Sequence, residues 1–238
     1  MINKNLEKLN YMYKKYKLSL CEINQLNKII LPIINHPEFQ KRMTSKFSHH
    51  GKITVGEHII EDAIVSYKIG LKSKKKIDIK LVVIIAMLHD LYTNPYQNAE
   101  KIKEKSFFNK HGFRHPIEAV INSMIWYPEL FKNTYEAKII TDGIVHHMYP
   151  LPVQYFYESD DNILDLNNFE LVKNIPQKLV DILVESTNKG RYGKISIIKS
   201  KYDEGKIVSK ADKIVTMKQI KNFRSLLALL TGKNKDLL

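Results

Sequence analysis

The stretch LVVIIAMLHDLY, residues 81–92, decides the fold, because eight uncharged and mostly apolar residues run straight into His89-Asp90. A run of that length is buried, so it carries an imidazole and a carboxylate to the edge of the core. Val82, Val83, Ile84 and Ile85 are branched at Cβ and suit a strand. A helix is preferred, since the segments around it have helical period and no other convincing strand is present to pair with it. Two hydrophilic groups side by side at the end of such a run need a partner, and a metal ion supplies one, the carboxylate giving charge and the neutral imidazole a borderline-soft nitrogen. The alternative is a helix C-terminus at which His89 caps carbonyls and Asp90 faces water.

Upstream, Leu6, Leu9, Met12, Tyr13 and Tyr16, then Leu20, Ile23, Leu26, Ile29 and Ile30, recur at three-to-four spacing. This predicts amphipathic helices split near Leu18-Ser19, with Ser19 and Glu22 in capping-box register and Pro32 closing the second. His36-Pro37 opens a short helix to about Met43. His50-Gly51 reads as a turn. Thr54 and Glu57 form a second capping box for a helix to about Ile69, ended by Gly70, with His58 in its first turn and Asp62 one turn on along the same face. Lys72 to Lys76 form a solvated connection.

Downstream, Asn94-Pro95 breaks the chain and His111-Gly112 resembles a turn. His115-Pro116 starts a helix, and another runs from about Thr134 to His147, stopped by Pro150 and Pro152. Residues 153–168 read as a polar surface excursion. A helix from about Pro176 to Ser186 follows, then a hairpin within 190–206 with Ile195, Ile197 and Ile198 as its strand candidates. A longer helix begins near Glu204 or Gly205 with Asp212 in its middle, and Phe223 to Leu230 form a last amphipathic helix that can pack on the core or on the second copy of a homodimer.

The chain has 238 residues, enough for one domain with small additions. The expected division is 1–45 as N-terminal helices packed on the core, 46–220 as the main domain with an insertion at 153–206, and 221–238 as a C-terminal helix and tail. Lys and Arg number 38 against 25 Asp and Glu, a net charge of +13. That balance favours a phosphate-bearing partner, with nucleic acid the less favoured form of it. The single cysteine, Cys21, excludes an internal disulfide and suits a reducing compartment. The start MINKNLEKLN is polar, and the longest apolar run falls far short of a membrane span, so a cytoplasmic protein with no membrane partner is expected.

In order, the chain offers His58, His89-Asp90, His115, His146-His147 and Asp212, each on or at the end of a predicted helix, and helices of a bundle can aim such groups at a shared site. The elements ITVGEHIIEDA, IAMLHDLY and VSKADKIV resemble the HD-domain superfamily of metal-dependent phosphohydrolases over about residues 47–220. HGFRHP and IVHHMYPL resemble its expanded subgroup, which holds two metals. The resemblance implies an all-α HD-domain helical bundle in which the 153–206 insertion can form a lid. It implies that His58, His89, Asp90 and Asp212 hold one divalent transition metal, and His115 and His147 a second, with Asp90 bridging. Iron or manganese is favoured, with zinc and cobalt compatible. His147 is preferred over His146.

The implied activity is hydrolysis, by metal-activated water, of a phosphoester or phosphoanhydride of a nucleotide or similar small phosphometabolite. Beside Asp90, the candidates for proton transfer and phosphate clamping are Arg114, Lys213, Lys210 and Asp62; Asp62 or Glu61 could instead orient a ligand histidine. The same ligand set can support a di-iron oxygenase, and the fold without turnover would serve as a nucleotide- or RNA-binding regulator. His36 and His49 read as ordinary structural histidines. His50 and His111 read as turn residues, either of which could line the cleft.

Overall fold

A computed structural model of the chain describes residues 2–49, 53–93, 111–154, 171–187, 191–192 and 195–220. It is an all-α bundle built around the apolar stretch. That stretch is a helix, α5 (Ile79–Leu88), in which every residue from Leu81 to Leu88 is buried. Asp78 caps it by accepting the Leu81 N–H at 3.2 Å, and α2 (Leu20–Ile34), α4 (Val55–Leu71), α7 (Thr134–Val145) and α9 (Asp203–Gln219) surround it. A helix enclosed by others satisfies its own backbone, so burial outweighs the strand preference of its branched residues.

α1 (Ile2–Lys15) lies on α4, and α3 (Pro37–Arg42) links α2 to α4. Both capping boxes form: Ser19 with Glu22 at the start of α2, and Thr54 with Glu57 at the start of α4. α6 (His111–Trp126) and α8 (Gln177–Thr187) flank α7. Three short strands make one antiparallel sheet in the order β1 (Val153–Gln154), β3 (Ile195–Ser196), β2 (Arg191–Tyr192). The expected hairpin is β2 with β3, pairing Tyr192 with Ile195, and Ile197 and Ile198 lie outside it. No helix among the described residues is long and apolar enough to cross a membrane.

Two proline readings need correction. Pro32 does not close α2, which runs on to Ile34 because Ile33 and Ile34 are each 2% exposed and their burial holds the last turn. Pro116 lies inside α6, which starts at His111. The expected turn at His111-Gly112 is therefore helical, and His111 and His115 share a face one turn apart. Gly70 is likewise inside α4, which continues to Leu71. The expected turn at His50-Gly51, the break at Asn94-Pro95, the excursion over 155–168 and the helix over Phe223 to Leu230 lie outside the described residues.

Where α7 crosses α9 the backbones nearly touch. A Cβ on Gly205 would meet the Gly143 Cα at 2.7 Å and would run into the Ser200 Oγ. One obstacle is main chain and cannot rotate aside, so Gly205→Ala is expected to cost about 1–3 kcal/mol by forcing the helices apart. Urea unfolding measures it, and an unchanged midpoint would contradict this packing.

Candidate metal centre

The ends of α4, α5, α6 and α7 and the middle of α9 converge on Asp90. His58 sits in the first turn of α4, His89 caps the end of α5, His115 is in α6, His147 follows the C-terminus of α7, and Asp212 faces them from α9. All are buried, Asp212 being 8% exposed and the others 5% or less. The C-termini of α5 and α7 both end here, and their carbonyl poles favour a cation.

The carboxylate of Asp90 divides the cluster. Its Oδ2 lies 3.7 Å from His58 Nε2 and 3.6 Å from His89 Nε2. Its Oδ1 lies 3.4 Å from His115 Nε2 and 3.7 Å from His147 Nε2. Asp212 Oδ1 is 3.2 Å from His58 Nε2. Atoms bound to one cation at about 2.1 Å stand roughly 3.0–3.4 Å apart for angles near 90–110°, so the closer of these spacings match a ligand shell. His58, His89 and Asp212 are mutually close enough to share an ion, and so are His89, Asp90 and His147.

The imidazoles are held with Nε2 inward. His89 Nδ1 donates to the Ala86 carbonyl at 2.7 Å, His147 Nδ1 to that of Ile144 at 2.7 Å, and His115 Nδ1 to that of His111 at 3.1 Å. Each ring thus bonds a carbonyl of its preceding turn and keeps a lone pair on Nε2. His115 Nε2 then faces His147 Nε2 at 3.1 Å. Burial pulls His115 below its ordinary value and, with His89 and His115 adjacent, lowers His147 to about 3. Two lone pairs therefore point at each other beside a carboxylate oxygen, an arrangement a cation relieves. His89 Nε2 is fully buried with no hydrogen bond. These buried His and Asp groups could hold a metal ion.

The charges follow the same division. Burial opposes ionisation of Asp90, but His89, His115, His49 and His58 outweigh it and hold the carboxyl well below its usual range. Burial likewise lowers His58, but the Asp212 hydrogen bond and the surrounding carboxylates raise it to about 9. In metal-free protein, His58 contributes stability that is complete below 6.5 and lost as pH rises through about 9. His147, depressed to about 3, contributes stability that is present above 6.5 and lost as pH falls toward 3. The chelated protein should therefore be most resistant to urea near neutral pH and weaken on both sides. A midpoint that climbed steadily into acid would contradict this account.

The other candidates fall in different places. Asp62 is fully buried behind His89, with Oδ2 3.7 Å from Nδ1 and neither oxygen hydrogen-bonded. Burial, followed by the charge of Asp212, pushes its carboxyl well above the usual range. Arg114 is half-buried in the first turn of α6, with its charge bearing on His111. Lys213 donates to Ser209 Oγ at 2.8 Å within α9, and Lys210 is exposed. His146 turns away from the cluster, its Nδ1 3.0 Å from the Asp142 carbonyl and 3.3 Å from Asp142 Oδ1. His36 caps α3, with Nδ1 accepting the Glu38 N–H at 3.2 Å.

Sequence reasoning missed His49. Its ring lies 4.1 Å from that of His58, close enough to share an ion with His58 and Asp90, and it is less buried than they are. It comes from an irregular segment, pinned by its N–H to the Ile53 carbonyl at 2.7 Å, so no helical period marks it. His111 stacks on His115 with ring centres 5.2 Å apart. No protein-family model, curated protein or solved structure matches this chain.

Proposed function

We propose that the chain is a metal-dependent phosphohydrolase of the HD type, acting on a phosphoester or phosphoanhydride of a nucleotide or similar small phosphometabolite. The observation that carries this reading is the division of Asp90 between two sets of imidazole nitrogens, with the Nε2 lone pairs of His115 and His147 facing one another at 3.1 Å. A divalent transition metal held there, iron or manganese favoured, supplies Lewis acidity that makes water nucleophilic at neutral pH and screens phosphoryl oxygens.

The chain's own groups do the rest. The histidines present neutral nitrogen, and Asp90 and Asp212 balance the cationic charge. His49, at the less buried edge, is placed to contact an entering phosphoryl group, while Arg114 and Lys213 are the nearby cationic groups for holding one. Asp62, sealed behind His89, is too buried to exchange protons with a substrate, and the Ala86 carbonyl, not Asp62, orients the His89 ring.

Elemental analysis of protein purified without chelator should find about two transition-metal ions per chain. His89→Ala with Asp90→Ala should lose both, His147→Gln should lose one, and His146→Gln should keep both. Phosphate release from a nucleotide panel with the metal so identified completes the assignment. Absence of metal after reconstitution would overturn it, and oxygen consumption with a phosphonate or polyol would move the chain to oxygenase chemistry.

A further inference from the structure

α9 reaches His58 at both ring nitrogens. Asp212 Oδ1 lies 3.2 Å from Nε2, and Gln219 Oε1, two turns further along the same helix, lies 3.0 Å from Nδ1. His58 needs such a partner because of where it sits. His89, His115 and His147 bond carbonyls of their preceding turns. In the first turn of α4 there is no preceding helical turn, and the His58 ring nitrogen turns instead to a side chain of α9. A side chain has to stand in for the carbonyl.

An amide can present either its oxygen or its NH2, and the choice here is made at its other end. Gln219 Nε2 donates to Glu61 Oε2 at 2.8 Å. Glu61 is 5% exposed, and its Oε1 accepts from Lys15 Nζ and from the Tyr16 hydroxyl, each at 2.6 Å. A carboxylate held in this way has no proton to give. The NH2 of Gln219 must therefore face Glu61, its oxygen must face His58, and His58 must carry its proton on Nδ1. Nε2 faces Asp212 Oδ1, to which it donates in the metal-free protein, and it offers its lone pair once a cation displaces that proton.

We propose that Gln219 is a positioning residue that fixes the tautomer of His58, its own orientation being set by Glu61 and, through Glu61, by Lys15 and Tyr16 at the end of α1. The single tautomer and its effect on metal affinity rest on the metal-centre reading above; the bond from Nδ1–H to Gln219 does not. The N-terminal helix thereby belongs to the site as well as to the packing around it.

The test uses full-length protein labelled with 15N-histidine, read by long-range proton–nitrogen correlation. Zinc-loaded wild type should show the His58 proton on Nδ1 alone. Glu61→Gln frees the amide to turn, so His58 should become a mixture of tautomers and zinc affinity should fall about 10- to 100-fold. Adding Gln219→Glu to Glu61→Gln exchanges the amide and the carboxylate, which restores a single acceptor for Nδ1–H, and should recover the single tautomer and most of the affinity. A merely structural role would give no such rescue. A wild-type proton on Nε2, an unchanged tautomer in Glu61→Gln, or a double variant as impaired as the single one would overturn the proposal. Failure of zinc to bind wild type would instead sink the metal reading, and the role of Gln219 would then stand or fall on whether His58 Nδ1 keeps its proton in metal-free wild type at neutral pH and loses it in Glu61→Gln.

Discussion

Under the proposed function, Asp90→Asn is expected to bring metal content from about two ions per chain to less than one and to reduce phosphohydrolysis by at least about 10³-fold. The size follows from position. Among the described residues Asp90 is the one carboxylate whose two oxygens face different pairs of imidazoles, Oδ2 toward His58 and His89 and Oδ1 toward His115 and His147. An amide has the same shape, but it carries no charge and turns an NH2 toward one of those pairs, where it competes with a cation for the Nε2 lone pairs. Elemental analysis and phosphate release read the two effects, and the near-ultraviolet circular dichroism should stay that of the folded protein. Asp142→Asn is the matched control, another buried carboxylate in contact with a histidine, but with His146, which faces away. Equal metal loss in both variants would mean that the loss reflects general loosening and not the shared carboxylate.

Arg42→Met should be the most destabilising single change outside the centre. The guanidinium is 1% exposed and donates to the Glu38 carbonyl at 2.6 Å, to Glu38 Oε2 at 2.8 Å and to the Tyr92 carbonyl at 2.5 Å. Phe47 and Trp126 stack on it at 4.8 and 4.5 Å. Methionine replaces the volume but takes the donor from the Glu38 and Tyr92 carbonyls and from Glu38 Oε2, leaving Glu38 only its pair with Lys41, which costs about 3 kcal/mol, or roughly 6–12 °C in Tm for a domain of this size. A selective effect on metal should accompany the loss. Arg42 fixes the chain just after His89-Asp90, together with Asn122, which donates to the Leu91 carbonyl at 2.7 Å, and Glu118, which accepts the Thr93 N–H at 2.8 Å. Tyr92 in turn lies edge-on to His111 at 4.5 Å. Affinity on the His115 and His147 side should therefore fall more than affinity on the His58 side. Calorimetric titration of the variant distinguishes this from uniform weakening, which would contradict the linkage.

What the sequence made legible was local. Ser19 with Glu22 and Thr54 with Glu57 are capping boxes whose parts lie three residues apart, and both form because each side chain answers the other's backbone. The order and residue types of His58, His89-Asp90, His115, His147 and Asp212 likewise marked a set of groups that the bundle brings together. The misreadings came where tertiary burial overrode a local signal. Pro32 and Pro116 would each end an isolated helix, yet both are enclosed in helices whose apolar faces are buried. Gln219 was overlooked because its partner is 161 residues away, although its place two turns after Asp212 sets both on one face of α9. His49 had no periodic setting at all.

His58 pairs with Asp212, 154 positions later in the chain (212 − 58), and the centre draws on α4, α5, α6, α7 and α9 together. During synthesis, then, no partial chain carries the site. His58, His89 and Asp90 leave the ribosome long before Asp212, and a cation meeting them at that point finds only fragments of its shell. Under the metal-centre reading, uptake would thus be a late event, reporting that the bundle has closed. Because the ion binds only that closed form, a free concentration about 100-fold above its Kd would add about 2.7 kcal/mol to the finished protein and nothing to its precursors.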